Sequence, residues 1–243
     1  MNVSLAIITR NEIAGLRGVF DDIPRDALFE VFAVDAHSTD GTVEFLRERG
    51  VAVHDQSEPG YGAAMIQARS LTRGNALIYF HPDGNENPRD IPKFLERLDR
   101  GASFIVASRM IPGAWNEEDS RLLRFRKWAN QGLALIANLL FSRSSGVRST
   151  DITNGFRAIT CAAFDRMRLT SKDLTMDFQM IIRALKLGMP IEEFPTREGD
   201  RIGGGTSFPS FSTGLKELGL IWRELLGGDA VLQPVGKTAG PER

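Results

Sequence analysis

Five polar side chains of types that bind metal ions or phosphate groups lie close together, directly after an apolar run. In the stretch YFHPDGNENP they are His81, Asp83, Asn85, Glu86 and Asn87. Carboxylate oxygens are ligands that Mg²⁺ and Mn²⁺ both accept, and Mn²⁺ tolerates imidazole nitrogen better than Mg²⁺ does. Asn, Asp and Gly also form ordinary turns. The stretch therefore predicts either a ligand site or a turn at the end of a buried strand.

Two further polar loops follow apolar runs in the same way. Residues 9–12 follow the run at 3–8, and residues 35–40 follow the run at 31–34. Taken alone, each loop is explained by turn formation and helix capping. A shared binding site becomes the better interpretation if all three loops lie at one edge of a sheet.

The apolar runs and the segments between them predict the elements that position these loops. Continuous apolar runs predict buried strands at residues 3–8, 31–34, 76–80 and 104–107. Helical patterns separate them, at residues 13–20, 41–49, 63–72 and 91–98. This alternation is typical of an α/β domain with a mostly parallel central sheet flanked by helices, where ligands bind outside the carboxyl ends of the strands. We therefore expect the three polar loops at one edge.

The alternation ends after residue 108. A long apolar segment at 121–141 begins with the basic residues Arg121, Arg124, Arg126 and Lys127. Such a segment is typical of a helix lying in a membrane interface, and an ordinary helix packed over the sheet fits it equally well. Beyond it, the patterns predict a helix at 177–187, a strand at 191–195, an amphipathic helix at 214–226 and a disordered tail at 227–243.

Composition narrows the class of protein. The 243 residues include 30 Lys and Arg against 31 Asp and Glu, so a net charge of -1 gives no reason to expect a nucleic-acid partner. The single cysteine, Cys161, excludes an internal disulfide. The longest apolar stretch, 132–141, is about half the length of a membrane-spanning helix, and the first residues have no basic region and only a short apolar run, so we expect neither a membrane-spanning helix nor a secretion signal. We expect a cytoplasmic location.

Six motifs in a fixed order carry a resemblance to a known family. They are IITRNE, AVDAHSTDGT, EPGYGAAMIQA, FHPDGNENP, TDITNGFRAI and RALKLGMPIEEFPTREGDRIGGGTSF. In this order and spacing the chain resembles the family 2 glycosyltransferases over residues 2–226, and most of all their polyprenyl-phosphate branch, whose members are similar to dolichol-phosphate mannose synthase. Each motif alone is weak evidence, and the six together are specific.

The resemblance implies a fold, a reaction and a donor pocket. The fold is the A-type nucleotide-sugar fold, in one domain at 1–226 with a nucleotide-sugar half at about 1–110 and an acceptor half at about 111–226. The reaction passes a sugar from a nucleotide diphosphate, a UDP- or GDP-sugar, to an acceptor with inversion. The residues that the resemblance assigns to the nucleotide are Thr9, Asn11, Glu12, Asp35, facing the base or ribose, and Gly62.

The resemblance also implies a divalent cation, Mg²⁺ or Mn²⁺, held by an Asp-x-Asp motif. In this chain His81 stands at the first Asp position and Asp83 at the second, so the expected ligands are Asp83 and His81. The nitrogen ligand would favour Mn²⁺. Two alternatives stay open: Asp83 holds the metal alone with the donor phosphates, or His81 only caps the strand.

Catalysis depends on the acceptor, which is either a polyprenyl phosphate or a sugar hydroxyl. A lipid phosphate is already anionic and needs no base, whereas a hydroxyl would need Asp151 or Asp177. Gln179 stands where relatives often carry Glu, which removes one possible base. The expected catalytic residues are Asp83, Asp151 and Arg201, where Arg201 grips phosphate beside the glycines at 203–205.

Two other interpretations compete with an enzyme of this kind. Loss of acids at Ala36, His81 and Gln179 would also fit a relative that binds nucleotide sugars or glycans without turnover. The segment GYGAAM at 60–65 loosely matches a dinucleotide fingerprint, but it does not follow the first strand, so a dehydrogenase is not expected. Peripheral contact with the cytoplasmic face of a membrane is expected from segment 121–141, and the oligomeric state is left open.

Overall fold

The fold is described by a computed structural model covering residues 1–120, 125–142, 146–202 and 210–227. The strands are β1 Val3–Thr9, β2 Glu30–Asp35, β3 Ala52–Asp55, β4 Ala76–Phe80, β5 Phe104–Ser108, β6 Arg157–Thr160 and β7 Glu192–Pro195. The α-helices are α1 Ile13–Val19, α2 Thr42–Glu48, α3 Tyr61–Leu71, α4 Ile91–Asp99, α5 Phe125–Phe141, α6 Cys161–Met167, α7 Met176–Lys186 and α8 Ser210–Leu226.

The strands form one mostly parallel sheet, in the order β3-β2-β1-β4-β6-β5-β7. Only β6 runs against its neighbours β4 and β5, while the other pairings are parallel. The predicted α/β class is therefore confirmed. Because β6 comes from the second half of the chain and lies between β4 and β5 of the first, the two halves share the sheet.

Helices cover both faces of the sheet, which explains why its central strands are apolar without alternation. Every residue of β1, β4 and β5 is buried. One face packs on a cluster that includes Leu16 and Phe94 of α1 and α4, and the other on a cluster that includes Met65, Phe164 and Ile181 of α3, α6 and α7. The sheet thus lies between two hydrophobic cores.

Parallel register brings the predicted loops together at one edge. Thr9 lies opposite Asp35 at the ends of β1 and β2, and Ile7 lies opposite Phe80 at the end of β4. The loops that begin after Thr9, Asp35 and Phe80 therefore leave the sheet side by side. This confirms the expected convergence of the three polar loops.

The prediction missed β6 and α6, which occupy residues 157–167. The strand is four residues long, and its sequence RAIT lies inside a polar motif, so no apolar run marks it. Its partners are β4 and β5, which are distant in sequence, and tertiary pairing therefore decides its conformation.

Several predicted features lie outside the described residues. They are Arg121 and Arg124, the glycines at 203–205, and the tail after Gly227. Among the helices of the described ranges, none is long and apolar enough to cross a membrane.

Candidate active site at the carboxyl edge of the sheet

The loops after β1 and β2 are locked to each other by side-chain hydrogen bonds. Asp35 is fully buried, and its carboxylate accepts bonds from the backbone N–H of Ser38 at 2.7 Å and from the Ser38 hydroxyl. The Ser38 Oγ accepts from the N–H of Asn11 at 2.8 Å, and Asn11 Oδ1 accepts from the N–H of Thr39 at 2.8 Å. Asn11 has φ 54, in the left-handed region that costs energy for residues other than glycine. The loop pair is thus held in one conformation.

These bonds bear on the residues expected at the nucleotide. Asn11 lies in the exposed part of the loop pair, whereas Asp35 has no exposed surface and both its oxygens are engaged by Ser38. Asp35 therefore orients the loop after β2 through Ser38, and neither of its oxygens is free to contact a base or ribose. Thr9 is buried at the end of β1, and its hydroxyl has no hydrogen-bond partner among the described residues.

Arg201 joins two carboxylates from different loops. Its Nη2 lies 2.7 Å from Glu12 Oε1, and its Nη1 lies 3.5 Å from Asp83 Oδ2. Burial raises the pKa of Glu12 above its ordinary value, although Arg201 opposes the shift. The other Asp83 oxygen accepts the N–H of Asn85 at 3.0 Å. The chain thus brings together Glu12, Asp83 and Arg201, three residues predicted for the site.

His81 is held by a buried carboxylate from its own loop. Glu86 Oε1 lies 2.7 Å from His81 Nδ1, and Glu86 Oε2 accepts the His81 backbone N–H at 2.7 Å. Burial alone would lower the pKa of His81, but Glu86 outweighs it and raises the pKa to about 9. The imidazole is therefore protonated at neutral pH unless a metal ion replaces the proton. Its Nε2 is buried and has no hydrogen-bond partner among the described residues.

Tyr61 and Gly155 complete the wall around His81, and neither was predicted as a site residue. The rings of Tyr61 and His81 lie 5.3 Å apart. A Cβ atom on Gly155 would approach His81 Cε1 to 2.7 Å and the Tyr61 hydroxyl to 2.8 Å, so any larger residue would displace the imidazole. Gly155 belongs to the motif TDITNGFRAI, so the motif contained the residue. The need for a glycine there becomes clear only from its contact with His81 and Tyr61.

Asp151 is an anchor instead of the expected catalytic carboxylate. It is fully buried, and Arg109 contacts its two oxygens at 2.8 and 2.9 Å while Asn130 donates to it at 2.9 Å. Burial would raise the pKa of Asp151, but Arg109 lowers it to about 2. A carboxylate of such low pKa with both oxygens engaged is a poor base. Its role is to hold Arg109, which also contacts Glu198 at 3.0 Å.

Asp177 is the better placed of the two acids considered for a base. It lies 3.3 Å from the guanidinium of Arg157 and 3.4 Å from the Tyr61 hydroxyl, beside the wall around His81. Burial raises the pKa of Asp177, although Arg157 opposes the shift. Glu217 of α8 lies near it, and burial together with the charge of Asp177 raises the pKa of Glu217 to about 7. No motif in the sequence singled out Glu217.

Gly62, which was expected at the nucleotide, and Gln179, which stands at the position of a possible base, both have packing roles. Gly62 lies in α3, where a Cβ atom would approach the Ser171 carbonyl oxygen to 2.4 Å, so the glycine allows α3 to pack on that loop. The amide of Gln179 is fully buried and donates to Glu224 of α8 at 2.9 Å. Its carbonyl accepts the N–H of Ser171 at 2.8 Å. Gln179 therefore connects α7 with α8, and its position is not that of a missing base.

The residues present fit a divalent cation only in part. Among the described residues, no group of three or more His, Cys, Asp or Glu side chains is placed to hold a metal. Asp83 offers a hard oxygen ligand, and His81 offers a buried Nε2 without a partner. A histidine that ligates a metal usually donates its other N–H to a carboxylate, as Glu86 would accept from Nδ1 here. Asp83 and His81 therefore fit a cation whose remaining ligands come from a bound diphosphate and water.

A cleft of about 170 Å³ lies at the site. Its lining includes His81, Asp83, Arg109, Arg126 and Thr153. The residues around Asp83 and the basic side chains of Arg109 and Arg126 thus face one shared cavity.

The sequence is similar to a known family and to several known glycosyltransferases. Residues 4–169 match the profile of the family described as Glycosyl transferase family 2. Glycosyltransferase AglJ of Haloferax volcanii is 29% identical over 192 residues, which cover 77% of this chain and 60% of AglJ. Polyprenol monophosphomannose synthase of Mycolicibacterium smegmatis is 28% identical over 178 residues, 68% of this chain and 64% of the synthase. The chain thus spans less than two thirds of the length of either protein.

A further relative and two solved structures complete the comparison. A dolichyl-phosphate hexose transferase of Haloferax volcanii is 28% identical over 82% of this chain and 84% of its own length. Glucosyl-3-phosphoglycerate synthase from Mycobacterium tuberculosis, solved with Mn²⁺ and UDP, has a TM-score of 0.65 and 18% identity over 93% of this chain and 77% of that one. The same synthase with Mg²⁺ and UDP has a TM-score of 0.64 and 17% identity over 93% and 76%. These structures confirm the predicted A-type fold.

Proposed function

The chain belongs to glycosyl transferase family 2, and from this premise we propose that it transfers a sugar from a nucleotide diphosphate donor to a polyprenyl phosphate, with inversion. The observation that carries the proposal is the convergence of Glu12, Asp83 and Arg201, from three separate loops, at the carboxyl edge of the sheet. Two of the relatives are named for polyprenol- or dolichyl-phosphate reactions. UDP and GDP donors both fit this proposal.

The donor diphosphate is expected beside Asp83 and Arg201. Arg201 now contacts the carboxylates of Glu12 and Asp83, and a diphosphate offers it a stronger bidentate partner. The locked loop pair of Asn11 and Asp35 supplies a rigid wall for the nucleoside. Arg201 therefore acts as a phosphate clamp, whose charge stabilises the leaving diphosphate.

Asp83 and His81 are the residues that would hold Mn²⁺ or Mg²⁺. A bound cation would stabilise the negative charge that develops on the departing diphosphate. Glu86 fixes the orientation of the imidazole, and Gly155 leaves space for it. The nitrogen ligand favours Mn²⁺ over Mg²⁺.

The acceptor side suits an anionic nucleophile. A phosphate oxygen of the lipid would attack the anomeric carbon from the face opposite the diphosphate, forming one C–O bond as the bond to the diphosphate breaks. No proton has to be removed, which agrees with the engagement of both Asp151 oxygens by Arg109. Arg126 at the cleft would attract the lipid phosphate. A hydroxyl acceptor would instead lose its proton to Asp177, whose raised pKa suits a base better than that of Asp151.

A lipid acceptor can be reached only by contact with a membrane. The surface of α5 is suited to such a peripheral contact with the cytoplasmic face of the membrane. Phe125, Trp128, Leu135 and Leu139 lie on one side of α5 at helical spacing, and all are exposed. The sequence of α5 contains no acidic residue. An exposed apolar stripe that begins beside Arg126 is suited to the interface of an anionic leaflet.

A product assay tests the proposed function. Purified protein is incubated with UDP- and GDP-sugars labelled in the sugar, with Mn²⁺, and with a short-chain polyprenyl phosphate, and the labelled lipid is separated. Wild-type protein should form sugar-phosphate lipid, and Asp83→Ala should lower the rate at least about 100-fold. Donor binding without transfer to lipid or sugar acceptors would contradict the proposal and favour a binding protein.

A further inference from the structure

The helix α8 has three distinct faces. Its inner face buries Glu217, Leu220, Ile221 and Glu224, and the last of these accepts bonds from Gln179 and Arg183 of α7. One turn apart on a second face lie Lys216, Gly219 and Arg223. The third face carries Leu215, Leu218, Trp222 and Leu225. The anchored inner face thus fixes which way the other two point.

The second face of α8 lines a groove of about 460 Å³. Its opposite wall is the segment 170–175 before α7, and its lining includes Thr170, Ser171, Lys172 and Thr175. Ser171 is only 4% exposed, and its hydroxyl has no hydrogen-bond partner among the described residues. A buried hydroxyl without a partner at the wall of a groove is an unused donor for a ligand.

The groove carries more positive than negative charge. Lys172, Lys216 and Arg223 line it, against a single acid, Asp173. Lys172 pairs with Glu58 and Lys216 with Asp173 at 3.4 Å, but these side chains are between 46% and 60% exposed, so the ion pairs are weak and exchangeable. Arg223 forms no ion pair with any residue that the structure describes. The groove therefore offers an anionic group several basic side chains and the Ser171 hydroxyl.

The apolar face beside the groove identifies the source of that anion. Trp222 is 66% exposed and Leu226 is 82% exposed, at the end of α8 that also carries Arg223. Both acids in the described part of α8, Glu217 and Glu224, are buried, so its exposed side chains are apolar or basic. A second copy of the chain would bring basic residues against basic residues here. An anionic lipid surface complements both features, and tryptophan is favoured at such an interface.

We propose that the groove between α8 and segment 170–175 binds the phosphate headgroup of an anionic membrane lipid while the apolar face of α8 lies in the membrane interface. The headgroup phosphate contacts Arg223, Lys216 and the Ser171 hydroxyl. This site is separate from the cleft at His81 and Asp83, and it serves attachment and orientation instead of catalysis.

Vesicle flotation tests the site without donor or acceptor. The full chain is floated with phosphatidylcholine vesicles that contain or lack phosphatidylglycerol, at low and high salt. Wild-type protein should bind only the anionic vesicles, and salt should weaken the binding. Arg223→Gln should lower the partition coefficient about fivefold, the contribution of one basic residue near an anionic surface. The double variant Ser171→Ala with Arg223→Gln should have a lower partition coefficient on phosphatidylglycerol vesicles than Arg223→Gln alone.

Arg47→Gln on α2 is the matched control, because Arg47 is an exposed helical arginine beside β3, away from α8. It should bind vesicles as the wild type does, and thermal unfolding should show that all variants are folded. The proposal would be overturned if Arg47→Gln and Arg223→Gln reduced vesicle binding equally, or if the wild type bound neutral and anionic vesicles equally well. Stabilisation by inorganic phosphate through Arg223, without vesicle binding, would assign the groove to a free anion and also overturn it.

Discussion

The histidine at position 81 shows how one substitution changes the chemistry expected of a metal motif. The motif alone left open whether His81 ligates a cation or caps a strand. The buried pair with Glu86 and the unpartnered Nε2 support the first alternative, because they match the usual surroundings of a ligating histidine. Neither feature can be read from sequence, since Glu86 is only one of several polar residues in its loop.

Glu217 provides a test of the electrostatics around Asp177. Burial and the Asp177 charge raise its pKa from 4.5 to about 7. A raised folded-state pKa of an acid gives stability that is fully present below pH 4.5 and is lost as the pH rises through 7. Glu217→Gln removes this loss, so the free energy of unfolding of the variant relative to wild type should increase by roughly 3 kcal/mol between pH 4 and pH 8.

The measurement is urea unfolding of both proteins across that pH range. Glu48→Gln, at an exposed position of α2, controls for the substitution itself. A difference between Glu217→Gln and wild type that stays constant from pH 4 to pH 8 would show that Glu217 does not hold an additional proton in the folded protein.

At the scale of elements, the contact between α7 and α8 explains why Gln179 is present where the family resemblance suggested a base. The resemblance to the family places an acid at the position of Gln179, and on that basis the sequence suggested the loss of a base. The buried hydrogen bonds to Glu224, Thr170 and Ser171 show that the amide instead joins two helices and a loop. A sequence alone could not reveal this, because the partner Glu224 comes 45 residues later.

Gln179→Glu is therefore expected to destabilise the protein instead of increasing transfer. A carboxylate at this position loses the donor to Glu224 and places a second negative charge beside that buried acid. The free energy of unfolding should fall by about 2 kcal/mol or more, as measured by urea unfolding. Gln131→Glu, at an exposed position of α5, should leave it nearly unchanged. Higher transfer activity in Gln179→Glu with unchanged stability would restore the interpretation as a missing base.

Element prediction succeeded where local signals were strong and failed where partners are distant. The strand at 76–80 was predicted with the bounds of β4, and helix 13–20 differs from α1 by one residue, because apolar periodicity and polar turns mark both. The strand β6 was missed because its pairing with β4 and β5 determines it. The helix at 214–226 was predicted, but which of its faces are buried depends on α7.

At the scale of the whole molecule, the site exists because the sheet brings together residues that are far apart in sequence. The side chain of Glu12 reaches Arg201 across 189 positions. Convergence of the polar loops could be predicted, since parallel strands end at one edge. The engagement of Asp151 by Arg109 and the place of Gly62 under Ser171 could not, because both are contacts between segments whose spacing the sequence does not determine.

The central claim is that a donor diphosphate lies against Asp83 where the three loops meet. Calorimetric titration of UDP and GDP into wild-type protein and Asp83→Asn, with and without Mn²⁺, tests it most directly, and Asp99→Asn at an exposed site serves as control. Wild type and control should bind one of the two nucleotides more tightly by at least about tenfold when Mn²⁺ is present, and Asp83→Asn should lose that difference. Equal Mn²⁺-dependent binding in Asp83→Asn and wild type would contradict the claim.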